Sequence, residues 1–105
     1  MKLIVAIVDD QDADKVMSAL SERRIGVTRV SSTGGLLNSG NSTLLIGVDE
    51  EIVPQAMKVI TELASLRQGV VSYAYNSGIP IASLVEVEVG GFMSFVMNID
   101  HFEQV

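Results

Sequence analysis

The feature that most constrains the fold is a strand-then-helix pattern that occurs twice along the 105 residues. Residues 2–8 are apolar and β-branched without helical spacing, which predicts a strand buried on both faces. Residues 42–48 predict a second such strand. A helical stripe at i, i+3, i+4 and i+7 follows each strand. The two stripes are Ala13, Val16, Met17 and Leu20, and Ala56, Val59, Ile60 and Leu63.

Further strands are predicted around these two units. Residues 27–33 alternate and are rich in β-branched side chains, and residues 85–89 and 92–97 give two more strand patterns. Residues 66–83 are mixed in composition; a mobile loop is expected there, although part of it, residues 69–75, also fits a strand. The order β-α-β-β-α-β predicts a ferredoxin-like α+β sandwich with an extra C-terminal strand, as a single domain over residues 1–105.

The first helix has a recognisable start and end. Asp9, Asp10 and Asp12 form an acidic cluster at its N-terminus, where carboxylates compensate the helix dipole. The same carboxylates, together with that of Asp14, suit Mg²⁺, but a helix start explains the cluster more simply. Gly26 lies just beyond the stripe and is expected to adopt the left-handed conformation that ends many helices.

Composition excludes several classes of function. Thirteen acidic against seven basic residues give a net charge of −6, which argues against binding to a nucleic-acid backbone. The chain has no cysteine, so disulfides and thiolate chemistry are excluded. Residues 3–8 form the longest apolar run, too short for a membrane span, so a cytoplasmic protein is expected. The 48% hydrophobic content predicts a closed oligomer that hides apolar surface.

Few residues offer catalytic or metal chemistry. His101 is the only histidine, which excludes a His-rich metal site and leaves one candidate base without an evident partner. Glu86 and Glu88 point to the same face of a predicted strand, a pattern more typical of a solvated face than of a carboxylate pair in a glycosidase. The sequence therefore predicts no enzyme activity, no metal and no cofactor.

A glycine-rich connection between two strands has more functional potential. Gly34, Gly35 and Gly40 are surrounded by hydroxyl and amide side chains: Thr28, Ser31, Ser32, Thr33, Ser39, Asn41, Ser42 and Thr43. Glycines let backbone N–H groups converge on a phosphate, and an amide such as that of Asn41 can both donate to and accept from an adenine edge. The same residues also fit a long hairpin turn, and the residue pattern leaves both interpretations open.

Several motifs together resemble a known family. They are Met-Lys-Leu-Ile-Val-Ala at residues 1–6, Thr33-Gly34-Gly35 followed by Leu37, Ser39-Gly40-Asn41-Ser42-Thr43, Ile46-Gly47-Val48, Val85-Glu86-Val87-Glu88-Val89-Gly90-Gly91 and Phe102-Glu103-Gln104. This set resembles the PII-like cyclic di-AMP receptor family. The resemblance implies a non-enzymatic signalling receptor, a homotrimer that binds cyclic di-AMP in clefts between subunits and alters docking of an unknown downstream protein.

The resemblance also implies which residues contact the ligand. The implied contacts are Thr28, Gly35, Leu36, Leu37, Asn41, Gly47 and Gln104. This chain departs from the family at two positions, where Gly26 replaces an arginine and Leu36 replaces a phenylalanine. Loss of that arginine removes a bidentate phosphate partner, and loss of the ring removes a stacking surface. Arg29 is a candidate to replace the lost charge, but strand alternation predicts that it lies on the opposite face from Thr28.

Three other interpretations remain open at this point, one of which is a trimer with a purely structural role. A PII-like sensor of ATP, ADP or another anion would use the same cleft. A small ferredoxin-like enzyme that needs no cofactor would use His101 as its base.

Overall fold

The computed structural model describes residues 1–31, 40–73 and 83–105. In chain order the elements are β1 (Lys2–Asp9), α1 (Asp10–Glu22), β2 (Thr28–Ser31), β3 (Asn41–Val48), a 3-10 turn (Glu50–Ile52), α2 (Val53–Ala64), β4 (Arg67–Tyr73), β5 (Ser83–Val89) and β6 (Phe92–Asn98). Both predicted strand-then-helix units are present. Pro54 lies in the first turn of α2, where its missing N–H removes no helical hydrogen bond.

Four strands form an antiparallel sheet in the order β2-β3-β1-β6. α1 and α2 pack against each other and against β1, and α1 also contacts β3. A four-stranded antiparallel sheet with two helices on one face is an α+β architecture compatible with the ferredoxin-like arrangement. The predicted fold class is confirmed at this level.

The core lies between the helices and one face of the sheet. Alternate residues of β1 and β3 are buried there, and they pack against the stripes of the two helices. The central core residues are Ile4, Ala6, Val8, Leu44, Ile46, Val16, Leu20, Val59 and Ile60. The other face of β1 is only half-buried within the single chain, so the prediction of a strand buried on both faces is wrong for one protomer.

The strand patterns of residues 85–89 and 92–97 correspond to β5 and β6. β4 and β5 form a separate two-stranded antiparallel hairpin between α2 and β6. β6, rather than β5, is the fourth strand of the main sheet, so the later of these two predicted strands completes it. Residues 67–73, within the predicted loop, are paired in β4, and residues 74–82 lie outside the described residues.

Both ends of α1 are capped. The Asp9 carboxylate accepts a hydrogen bond from the Gln11 N–H at 2.9 Å, which confirms the acidic helix start. At the other end, Arg24 adopts the left-handed conformation with φ 60°, and the prediction that Gly26 would do so is wrong. The Arg24 N–H donates to Ser21 O at 3.0 Å and the Ile25 N–H donates to Leu20 O at 2.9 Å. This pair of bonds is the Schellman motif, and its position allows Ile25 to be buried at the helix end.

Candidate functional site

The sheet face opposite the helices is apolar and open to solvent. Residues paired across antiparallel strands share a face, so the register defines this open face. Its members are Thr28, Val30, Asn41, Thr43, Leu45, Gly47, Leu3, Val5, Ile7, Met93, Phe95 and Met97. Among them Met93 is 57% exposed and Phe95 is 51% exposed. Large apolar side chains left half exposed in one contiguous area mark a surface that another molecule covers.

Three of the predicted ligand contacts lie on this open face. Thr28 and Gly47 are exposed at one end of the sheet, and Asn41 is half-buried at the opposite end of β3. Gly47 lies six positions after Asn41 along β3, which corresponds to a distance of about 20 Å in an antiparallel strand. The Thr43 hydroxyl, between them, is buried without a hydrogen-bond partner among the described residues.

Of the other predicted contacts, one follows β6 and three lie outside the described residues. Gln104 is exposed in the segment that follows β6. Gly35, Leu36 and Leu37 lie outside the described residues, as does most of the glycine-rich connection. The choice between a phosphate cradle and a hairpin turn therefore stays a prediction.

A cavity of about 240 Å³ lies at the Gly47 end of the sheet, and we refer to it as the end cavity. Its lining comes from the end of α1, the end of β3 and the start of α2: Met1, Arg23, Arg24, Ile25, Gly26, Gly47, Val48, Asp49, Ile52 and Gln55. β2 pairs with β3 in a register that sets Thr28 opposite Leu45. Two residues further along the same register, Gly26 comes opposite Gly47. A Cβ added to either glycine would meet no described atom within 4 Å, so both backbones can be approached closely.

Sequence reasoning missed the end cavity. Arg23 and Arg24 directly follow α1, where cations suit the helix dipole. Arg23 does donate from Nη1 to Ala19 O at 2.8 Å, as a helix-closing cation would. The signal that was available is the sequence Arg-Arg-Ile-Gly, in which two cations lie within three residues before a glycine, whose backbone carries no side chain.

Arg29 is bound on the helix side of the sheet. Its Nη1 donates to the Asp14 carboxylate at 2.9 Å, its Nε donates to Ser42 Oγ at 3.0 Å, and its Nη2 lies 3.6 Å from Asp10 Oδ1. The Ser42 hydroxyl in turn donates to Asp10. The prediction that Arg29 faces away from Thr28 is confirmed, and Arg29 cannot contact an anion on the open face.

A second arginine is bound by a buried carboxylate. The Asp12 side chain is 1% exposed, and it accepts hydrogen bonds from both terminal nitrogens of Arg67, at 2.6 and 3.2 Å. This hydrogen bonding with Asp12 raises the pKa of Arg67, against a smaller opposing effect of desolvation. Arg67 is the first residue of β4, so the pair attaches the hairpin to the first turn of α1.

The carboxylates of the acidic cluster are therefore used within the fold. Asp9 caps α1, Asp10 and Asp14 contact Arg29, and Asp12 binds Arg67. Within residues 1–31, 40–73 and 83–105, no group of three or more histidine, cysteine or acidic residues has the geometry to hold a metal ion.

His101 has little of what a catalytic base needs. Its side chain is 80% exposed in the segment after β6, and its Nε2 lies 3.5 Å from the carboxylate of Glu103, which is itself 71% exposed. Neither group makes an ion pair with a buried partner among residues 1–31, 40–73 and 83–105. Screening by water makes an ion pair of this kind weak.

No helix in the described part of the chain has both the length and the apolar character needed to cross a membrane.

Comparison with known proteins gives two findings. A family model described as "Cyclic-di-AMP receptor" matches residues 1–105, the whole chain. The fold is similar to the crystal structure of a functionally unknown protein from Pediococcus pentosaceus ATCC 25745, with a TM-score of 0.82 and 34% sequence identity, over 99% of this chain and 96% of that chain.

Proposed function

Because the chain belongs to the PII-like family of cyclic-di-AMP receptors, we propose that it is a non-enzymatic signalling receptor that binds cyclic di-AMP between the subunits of a homotrimer. The family match over residues 1–105 is the observation on which this proposal rests. Three features of the structure support the proposal further: the open face, the spacing of the ligand contacts and the surroundings of His101.

The open face supports a homo-oligomer. Met93, Phe95 and Met97 on β6 and Val30 on β2 are each between 45% and 57% exposed in the single chain. Contact with further copies of the chain would remove this area from water. Such burial stabilises the oligomer by about 25 cal/mol for each Å² of apolar surface. Three sheets that face inward are the arrangement that the PII resemblance implies.

The spacing of the ligand contacts supports a site between subunits. Asn41 and Gly47 share one face of β3 but lie about 20 Å apart along the strand. This separation favours a cleft in which one protomer contributes its Asn41 end and a neighbour contributes its Gly47 end. In this arrangement Asn41 reads an adenine edge, while Thr28 and Gly47 face the ligand from the other side. Gly35, Leu36, Leu37 and Gln104 complete the contacts that the resemblance implies.

Binding, rather than catalysis, fits the available groups. His101 is exposed with only an exposed carboxylate beside it, whereas a general base needs a position within hydrogen-bond distance of a bound substrate. In our proposal the ligand changes what a downstream protein can dock against, through residues 66–83, which include β4.

Equilibrium competition tests the ligand assignment. Labelled cyclic di-AMP is bound to the intact protein, and unlabelled cyclic di-AMP, ATP or ADP is added. We expect only cyclic di-AMP to displace the label at low micromolar concentration, and Asn41→Ala to weaken binding. Displacement by ATP or ADP at equal or lower concentration would reassign the site to a mononucleotide sensor.

Subunit mixing tests the cleft separately. Asn41→Ala and Gly47→Val protomers each lack one side of the proposed site, so homotrimers of either are expected to bind poorly. In trimers assembled at random from equal amounts of both, about a quarter of the clefts pair an intact Asn41 with an intact Gly47. We therefore expect about a quarter of the parent capacity to return. No recovery in verified mixed trimers would place both residues in the same site of one protomer.

A further inference from the structure

The end cavity contains the two arginines that the fold does not use in ion pairs. The chain has four arginines. Arg29 and Arg67 are bound to the carboxylates of Asp14 and Asp12, at 2.9 and 2.6 Å. Arg23 and Arg24 both line the end cavity, and neither makes an ion pair with any described residue. In a chain of net charge −6, this is an unusual concentration of available positive charge.

The backbone at Arg24 gives a second, independent observation. Arg24 is the only non-glycine residue with positive φ in the described ranges. This conformation is unfavourable for an L-amino acid with a Cβ, and helices normally place glycine or asparagine at this position. Because glycine would adopt this backbone conformation without strain, the presence of an arginine here indicates a functional requirement for its side chain.

The rest of the cavity fits a small anionic group. Gly26 and Gly47 leave space beside the two cations, and the Gln55 side chain offers an amide donor. Asp49 is the one carboxylate of the lining, against two guanidinium groups. A volume of about 240 Å³ holds a phosphate with part of a sugar, since complete drug-sized ligands occupy cavities of about 300–1,000 Å³.

The family resemblance implies that a ligand phosphate lies near Gly26, where this chain lacks the family's arginine, and we propose that Arg24 is the main cationic contact of that phosphate in the end cavity. This inference rests on the proposed function, because Thr28 and Gly47 place the end cavity at one side of the proposed cleft. The guanidinium of Arg24 can donate two parallel hydrogen bonds to phosphate oxygens, a geometry that lysine does not reproduce. Arg23 adds positive charge while it remains bound to the carbonyl of Ala19.

Three variants of Arg24 separate its roles. Arg24→Gly removes the guanidinium and the backbone strain, Arg24→Ala removes the guanidinium but keeps the strain, and Arg24→Lys keeps the charge without the planar fork. We expect thermal stability to rise for Arg24→Gly and not for Arg24→Ala. We expect affinity for cyclic di-AMP, measured by titration calorimetry, to fall at least about tenfold in both, and less in Arg24→Lys.

The matched control is Lys15→Ala, which removes one exposed positive charge from α1 at a position outside the cavity lining. Its affinity is expected to equal that of the parent. If the parent binds cyclic di-AMP and Arg24→Gly or Arg24→Ala binds equally well, the phosphate role is wrong while the receptor function stands. An equal loss in Lys15→Ala would attribute the effect to net charge and also overturn it. Failure of the parent to bind would overturn the proposed function itself.

Discussion

Gly47 and Gly90 both lie near the ends of strands, but replacing each by alanine is expected to have opposite effects on the free energy of unfolding. Gly47 lies within β3 with φ outside the left-handed region, and an added Cβ would meet no described atom within 4 Å. Gly90 follows β5 with φ +82°, and an added Cβ would overlap the Arg67 guanidinium and lie 2.8 Å from the carbonyl oxygen of Ser65. The first site is open and unstrained, and the second is crowded and left-handed.

The magnitudes follow from these contacts. Replacing a strand glycine by alanine removes unfolded-state entropy, so Gly47→Ala is expected to stabilise the protein by about 0.5–1 kcal/mol. Gly90→Ala forces an L-residue into the left-handed region at about 1–2 kcal/mol. It also brings a methyl group against a backbone oxygen that cannot move by side-chain rotation, which adds about 1 kcal/mol. We therefore expect the two variants to differ by about 3 kcal/mol in free energy of unfolding.

Urea unfolding followed by circular dichroism measures this difference. With a slope of about 1.5 kcal/mol per molar urea, the two midpoints are expected to be about 2 M apart, on either side of the parent. All three proteins are compared at one protein concentration, because oligomerisation contributes to apparent stability. Equal midpoints, or a Gly90→Ala variant as stable as the parent, would refute the reasoning from backbone geometry.

Three further substitutions test other parts of the molecule. Phe95→Glu places a charge on the open face, so sedimentation is expected to show dissociation of the oligomer; an unchanged mass would show that this face is not the interface. Asp12→Ala removes the buried partner of Arg67, and backbone amides of β4 are expected to exchange hydrogen faster. Hydrogen bonding with Asp12 raises the pKa of Arg67, so the guanidinium stays charged up to the strongly alkaline range, and its contribution is lost as pH rises through that pKa. The parent's protection should therefore not fall between about pH 7 and 10. His101→Ala is expected to leave nucleotide affinity and oligomer mass unchanged, and a large loss in either would revive the interpretation of His101 as a functional base.

The sequence predicted the elements whose signals are local. The periodicity of residues 2–8 and 42–48, and of the two helical stripes, depends only on which face of each segment is apolar. These segments are found as β1, β3, α1 and α2. The opposite orientation of Arg29 and Thr28 was predictable for the same reason, because it follows from the two-residue period of a strand.

Features that depend on long-range pairing were predicted less well. Residues 67–73 form a strand because they pair with residues 83–89, and no periodicity within the first segment shows this partner. Glycine preference placed the left-handed helix end at Gly26, but burial of Ile25 moves it to Arg24. The end cavity was missed for a related reason, since its lining joins residues 23–26, 47–49 and 52–55, which only the folded chain brings together.

Titration calorimetry of the intact parent protein with cyclic di-AMP tests the central claim most directly. We expect saturable heat with one cyclic di-AMP bound per protomer, because a cyclic trimer has as many clefts between neighbours as it has subunits. The absence of heat at high micromolar ligand, with the trimer shown to be intact in the same sample, would contradict the assignment of this chain as a cyclic di-AMP receptor.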